Sequence, residues 1–400
     1  MLWWISFFNY ADRQAIFSVF PLLEQEMGLS KVQQGLLGSS FAWVYGLAAP
    51  FAGALVDRVR RKTAILGGLH AWSLICLATA LSRKFSHLVF FRAAEGLGET
   101  FYYPASVSML SDYHGRRTRS RALGLHQTSV YAGTIAGGSF AGLIGQYYGW
   151  RWAFIVFGAQ GVVLGLLLSR FLHEPRRGAA DRAAEPAERL PAGQALRLIF
   201  TTPTALALML AFVCANFVAM VLLAWMPSYL TEKFHLGLAM AGFAATTYAQ
   251  LASLSGAVLG GWLADVLRGR MLGGRIAVQA LGVLGGALFV FLCGRTDSVF
   301  VLVVALTAWG LFKGLYDANI FASVFDVIPP EARGTAAGLM NLVGWLGGGA
   351  TAPLVIGLIA EVKGLGWAIS SAALVYVVAG AILLAAGLVF IRRDLARVPG

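Results

Sequence analysis

Arg92, Glu95 and Glu99 follow one another at spacings of three and four residues inside a stretch, 87–113, whose flanks are apolar enough to cross a bilayer. At 100° per residue these three and Tyr103 fall within roughly 80° of one another, which makes one polar stripe on one helix. A charge at mid-bilayer costs about 2.5–3.5 kcal/mol on insertion scales, so the stripe must face other helices or a water-filled hollow rather than lipid. Such a stripe can hold an anion and move a proton. A guanidinium grips a carboxylate through paired hydrogen bonds, and a buried carboxyl is ionised beside a cation and protonated away from one. Asp12-Arg13 places another acid and base in the first apolar stretch, and Lys313 and Asp317 lie four residues apart in a later one. Those bases are fewer than the acids, so one carboxyl is expected to carry a proton for part of a working cycle. Lys313 and Asp317 at that spacing are also able to satisfy each other.

The elements that position these groups must be membrane helices. Hydrophobic residues make up 58% of the chain and charged residues 12%, against the about 25% charged that a soluble protein needs. At roughly 20 residues per crossing, 400 residues accommodate about twelve helices, and the 48 glycines suit close helix contact in lipid. No run of alternating hydrophobicity suggests a barrel. The expected fold is an all-α membrane protein of twelve transmembrane helices in two pseudo-symmetric six-helix bundles. The net charge of +12 does not imply nucleic acid: Lys and Arg concentrate on alternate loops, at 58–62, 116–121, 176–197, 268–275 and 392–397. By the positive-inside rule that side, with both termini, is cytoplasmic. A multi-pass bacterial inner-membrane protein, working as a monomer in the bilayer, is expected. The first apolar stretch contains Asp12 and Arg13 and reads as a spanning helix rather than a cleavable leader. Cys76, Cys214 and Cys293 show no paired spacing and read as packing residues, so no disulfide, metal or cofactor is expected. Without a nucleotide loop or a spaced nucleophile and base, an enzyme is not expected.

The twelve spans fall near 2–23, 32–56, 63–81, 87–113, 122–147, 152–172, 204–229, 237–264, 274–293, 298–327, 335–360 and 366–391, with a basic turn at 114–121. Pro50 inside span 2 is tolerable because neighbouring helices can satisfy the freed carbonyl. The polar segment 173–199 reads as a cytoplasmic linker between an N-terminal bundle, 1–172, and a C-terminal bundle, 200–400. Gly133-x-x-x-Gly137 and Gly138-x-x-x-Gly142 in span 5 have the spacing of close helix contacts. The halves echo one another. Gly53-Ala-Leu-Val-Asp57 ends span 2 as Gly261-Trp-Leu-Ala-Asp265 ends span 8, and Ala105-Ser-Val107 matches Ala322-Ser-Val324. Repeats of this kind place substrate between them near the bilayer midplane.

Gly53-x-Leu-x-Asp57-Arg58-x-x-Arg61-Lys62 resembles the loop 2–3 signature of the major facilitator superfamily, departing from it at Arg60, where the family usually has glycine. Gly53, Asp57, Arg58, Arg61 and the second-half Asp265 would then form a conformational latch between charges and helix ends. Asn9-Tyr-x-x-Arg13, the Arg92/Glu95/Glu99/Pro104 series and Arg333-Gly-Thr-Ala-Ala-Gly-Leu-Met-Asn341 are similar to the anion:cation symporter group, which includes sialin and hexuronate and galactonate transporters. The resemblance implies a secondary active, proton-coupled transporter of a small organic anion such as a sugar acid. It implies that Arg13 engages the anion and that Asp12, Glu95 and Glu99, with Arg92, couple protons. Tyr103, His126, Gln250, Lys313 and Asn341 are further candidates to line the binding hollow. Spinster-type lysolipid or amphiphile transporters share the Asn-Tyr-x-Asp-Arg and Gly-x-Gly-Glu elements and form the alternative. A transporter-like sensor that binds without moving its ligand is a third reading.

Overall fold

A computed structural model describes residues 1–56, 58–176 and 190–396. Among the described residues the regular structure is helical, and the helices group into twelve spans. In the first half these are span 1 (Leu2–Ser18 and Phe20–Met27), span 2 (Lys31–Val56), span 3 (Arg61–Thr79), span 4 (Phe85–Glu99 and Tyr102–Tyr113), span 5 (Arg116–Tyr148) and span 6 (Trp150–Phe171). The second half has span 7 (Pro203–Phe234), span 8 (Leu238–Arg268), span 9 (Gly274–Arg295) and span 10 (Val299–Asp317 and Ile320–Val327). Span 11 (Arg333–Val343 and Ala352–Lys363) and span 12 (Leu365–Ala385 and Ile391–Leu395) complete it. Eight spans are long and apolar enough to cross a membrane by themselves. Spans 1, 3, 4 and 5 are not among them, and spans 1 and 4 carry the buried Asp12, Arg13, Arg92, Glu95 and Glu99.

Several expected continuous helices are broken, each for a physical reason. Pro21 lacks the N–H that would serve the Phe17 carbonyl, and span 1 breaks at Val19. Pro104 likewise cannot serve Thr100, and span 4 breaks at Thr100-Phe101, directly after Glu99. Span 10 breaks without proline: the Asn319 side-chain amide donates to the carbonyls of Gly260 and Leu315, at 3.0 Å each. Span 11 widens into a π-turn over Gly344–Gly349, and span 12 does so over Ala386–Phe390. The basic turn expected at 114–121 is only His114-Gly115. Span 5 begins at Arg116 because Arg119 reaches back to the carbonyls of Ser111 (3.0 Å) and His114 (3.2 Å), serving acceptors at the end of span 4. Of the expected linker, 177–189 lies outside the described residues, and its far end folds as the short helix Ala192–Phe200.

The chain divides into two compact units. The first comprises Met1–Ala184, Leu223–Thr246 and Pro353–Leu358; the second comprises Glu185–Leu222, Thr247–Ala352 and Ile359–Gly400. Within the first, Leu69, Trp72, Tyr102, Ala105 and Leu168 form part of a buried core. Lys31 pairs with Glu24 at 2.6 Å and also with Glu232, and the Trp225 indole donates to the Pro353 carbonyl at 3.2 Å. Span 5 uses its two glycine pairs on different neighbours. A Cβ on Gly133 or Gly137 would strike the carbonyls of Phe7 and Ala11 in span 1, whereas one on Gly138 or Gly142 would strike Thr246 and Leu238 of span 8. In lipid, where no hydrophobic effect drives helices together, such backbone approach supplies the packing energy. Here it also holds the Asp12-Arg13 turn of span 1 in place.

Candidate functional site

Span 1 carries Asn9, Asp12 and Arg13 inward; Asp12 is 1% exposed and Arg13 7%. Span 4 presents Arg92, Glu95 and Glu99, all buried. Arg13 Nη2 donates to Glu99 Oε2 at 2.6 Å and Nε to the same oxygen at 3.2 Å, while Nη2 lies 3.5 Å from Asn9 Oδ1. Tyr10, Phe41 and Tyr45 stack around the guanidinium, their ring centres 4.7–4.8 Å from its carbon. This cage replaces water with polarisable ring faces, which stabilises a desolvated cation. Arg92 Nη1 donates to Glu95 Oε2 at 2.6 Å one turn along the same helix, and Phe41 lies 4.8 Å from its guanidinium as well.

Two guanidinium groups thus neutralise two glutamates, and Asp12 is left over. Neither of its oxygens has a hydrogen-bond partner among the described residues, although the Trp72 indole stands beside it. Ligand atoms of Asp12, Cys76 and Glu95 lie within 4.8 Å of one another. The Cys76 thiol donates to the Phe154 carbonyl at 3.5 Å, so a metal held there would have to displace that bond. Chemically, the arrangement can exchange charge: a guanidinium held by a carboxylate can take another anion in its place, and three neighbouring carboxyls offer seats for a proton.

The structure brings Asp12, Arg13, Arg92, Glu95 and Glu99 into one cluster. Tyr103 does not continue the stripe. The break at Thr100-Phe101 shifts the helical phase, and Tyr103 is 44% exposed whereas Arg92, Glu95 and Glu99 are buried. His126 is buried in the first unit with its ring 6.1 Å from that of Tyr102, and neither ring nitrogen has a partner among the described residues. In the second unit Gln250 is buried, Lys313 pairs with Asp317, and Asn341 is exposed. Phe41 and Cys76 were not legible as site residues, because aromatic and thiol side chains in apolar helices ordinarily signal packing.

Of the latch residues, Asp57 lies outside the described residues, Arg58 is exposed, and Gly53 has no heavy atom near an added Cβ. Arg61 is buried: it pairs with Asp112 and, at 3.4 Å, with Glu174, and donates to the Pro175 carbonyl at 2.9 Å. Burial pushes the Glu174 carboxyl up, but the backbone N–H groups of Arg61 and Lys62 and the Arg61 guanidinium outweigh it and hold it below the usual carboxylate range. In the second half Asp265 is largely exposed, 3.9 Å from Arg275. Arg275 instead grips both oxygens of Asp326 at 2.8 Å.

These clasps reveal the register of the repeat. Arg61 and Asp112 are separated by 51 residues, and so are Arg275 and Asp326. Arg333 reaches back to the carbonyls of Phe325 (2.8 Å) and Ile328 (3.1 Å), as Arg119 does to Ser111 and His114. All of these stand 214 positions apart, between the offsets of 208 and 217 that the short motif echoes suggest. Three charged residues matching at one offset were the signal in the sequence; the apolar echoes obscured it.

A family model for the Major Facilitator Superfamily matches residues 2–268 and, again, 229–399. The chain is 26% identical over 411 residues to a D-galactonate transporter of Escherichia coli O6:H1, covering 97% of this chain and 93% of the relative. It is 28% identical to the human protein spinster homolog 1 over 384 residues, covering 90% and 72%. A rice protein described as probable anion transporter 4, chloroplastic, is 29% identical over 349 residues, 83% of this chain, which spans 58% of that longer relative. In fold, the chain matches the crystal structure of a bacterial homologue of the human lysosomal transporter Spinster with a TM-score of 0.86. That match is at 21% identity and covers 98% of this chain and 97% of the other.

Proposed function

Since the chain belongs to the major facilitator superfamily, and its family work is transport rather than catalysis, we propose that it is a proton-coupled secondary transporter of a small organic anion, a sugar acid or related carboxylate. The single observation that carries this reading is the cluster in which Arg13 is held by Glu99 beside an Asp12 with no partner among the described residues. An incoming carboxylate offers Arg13 the same oxygens that Glu99 now supplies. When it binds, Glu99 loses its counter-ion and takes up a proton; when it leaves, Glu99 re-forms the pair and releases it. Asp12 is the second seat for that proton, and the Arg92–Glu95 pair sets the field around both. His126 in the first half, and Gln250 and Lys313 in the second, are proposed as further substrate-binding groups, with 1–172 and 200–400 as the two bundles of an alternating-access transporter.

The basic rim formed by 58–62 and 116–121 is assigned to the cytoplasm, with both termini on that side of a bacterial inner membrane and the monomer as the working unit. The relatives named for galactonate and for other anions favour the acid over an amphiphile. The test is uptake by proteoliposomes that carry a pH-sensitive dye. Labelled galactonate or galactarate should accumulate when an inward proton gradient is imposed, with lumenal acidification in step. Movement of lysolipid but of no sugar acid or other carboxylate would replace this reading with the Spinster-like one. Saturable binding without flux would mark a sensor.

A further inference from the structure

The two Arg–Asp clasps recur in both halves, so the fold accounts for them without a ligand. What does not recur is the charge around the first. Arg60 and Lys62 flank Arg61, while the positions flanking Arg275 are Gly274 and Ile276. Beside Arg61 lies a cavity of about 760 Å³ that Arg60, Lys62, Thr63, Gly67, His70 and Arg176 help to line. The corresponding hollow beside Arg275 is about 280 Å³. Arg60 and Arg176 make no ion pair among the described residues, and Lys62 Nζ donates only to the Ser169 carbonyl, at 2.8 Å. Among the described residues, the one carboxylate in the wall is Glu174, which is spent on Arg61 and on the first amides of span 3. Arg60, Lys62 and Arg176 therefore line an open volume in which no further acid among the described residues neutralises them.

We propose that this cavity is a binding site for an anionic glycerophospholipid, its phosphodiester held by Arg60, Lys62 and Arg176. Guanidinium forks and an ammonium suit phosphate oxygens, and juxtamembrane Lys and Arg attract anionic headgroups. A lipid is favoured over free phosphate because an apolar track on span 3 runs on from the cavity at Gly67. Gly67, Ala71 and Leu74 lie on one exposed face of span 3. A Cβ on Gly67 would meet nothing within 4 Å, so the helix surface is indented where an acyl chain would start. His70 closes the inner end, its Nδ1–H donating to the Leu66 carbonyl at 2.7 Å and its ring packed on Gly165. A lipid seated here would brace span 3 against span 6 beside the Arg61 clasp.

The experiment is native mass spectrometry of the full chain released from detergent, with phosphatidylglycerol and phosphatidylcholine of matched acyl chains as probes. The wild type should retain phosphatidylglycerol in preference, and Arg60→Gln/Lys62→Gln/Arg176→Gln should weaken that retention on the order of tenfold or more, given the energy of a basic residue near an anionic surface. Gly67→Leu keeps every charge and fills the indentation; it should also reduce retention, which protects the test against misfolding of the triple variant. Arg392→Gln/Arg393→Gln, on the last span, should leave retention as it is. Wild-type retention in either the triple variant or Gly67→Leu, or an equal loss in the Arg392/Arg393 control, would overturn the proposal. So would inorganic phosphate alone reproducing the thermal stabilisation that phosphatidylglycerol gives, since that marks a free-phosphate site.

Discussion

Arg13 and Glu99 are 86 residues apart in the chain and 2.6 Å apart in the structure, joined where span 1 crosses the break in span 4. The pair forms because each partner's burial is tolerable only with the other present. On the proposed function, a substrate anion reaches Arg13 only by displacing Glu99.

The coupling between the two should be measurable. Arg13→Ala strands the Glu99 carboxylate and should cost about 3–5 kcal/mol, as removal of one partner of a buried pair does. Adding Glu99→Gln should recover part of that loss. Thermal or denaturant unfolding of the two single variants and the double yields the interaction energy. Strict additivity would show that the pair does not matter to the folded state.

Asp12→Asn removes a carboxyl that has no hydrogen-bond partner among the described residues. Stability should hold or rise, because a lone buried charge contributes nothing. Transport driven by a proton gradient should fall at least about tenfold, as for loss of a group acting directly on the proton. Exchange of labelled for unlabelled substrate, which needs no net proton movement, should persist. Parallel gradient-driven and exchange assays separate the two effects, and equal loss in both would refute the assignment.

The glycines make opposite predictions. Gly137→Ala drives a Cβ into the Ala11 carbonyl and should cost about 1–3 kcal/mol by overpacking. Gly53→Ala enters open space and should stay within about 0.5 kcal/mol. Melting temperatures of the two variants in one detergent decide the comparison.

Glu174 carries a pH dependence whose sign follows from its depressed value. Its contribution is present above the unfolded carboxylate pKa of about 4.3 and is lost as pH falls through the lower folded value. Glu174→Gln should therefore melt below the wild type near neutral pH, with the gap closing as the solution is acidified below about pH 4. A gap unchanged down to pH 3 would mean that the carboxylate does not cap span 3.

Composition and residue type by themselves determined that this is a helical membrane protein, and that Asp12, Arg13, Arg92, Glu95 and Glu99 must avoid lipid, because the cost of a charge in hydrocarbon does not depend on which helix lies opposite. They also marked the glycine pairs of span 5 as contact points. The tertiary structure decided who meets whom. Arg13 chose Glu99 rather than Glu95, Asp12 was left alone, Phe41 came to serve both arginines, and Tyr103 turned away once Pro104 had broken the helix. Pairing of this kind depends on where separate helices cross. That crossing is set by backbone approach at residues such as Gly133 and Gly137, summed over many weak contacts far apart in the chain.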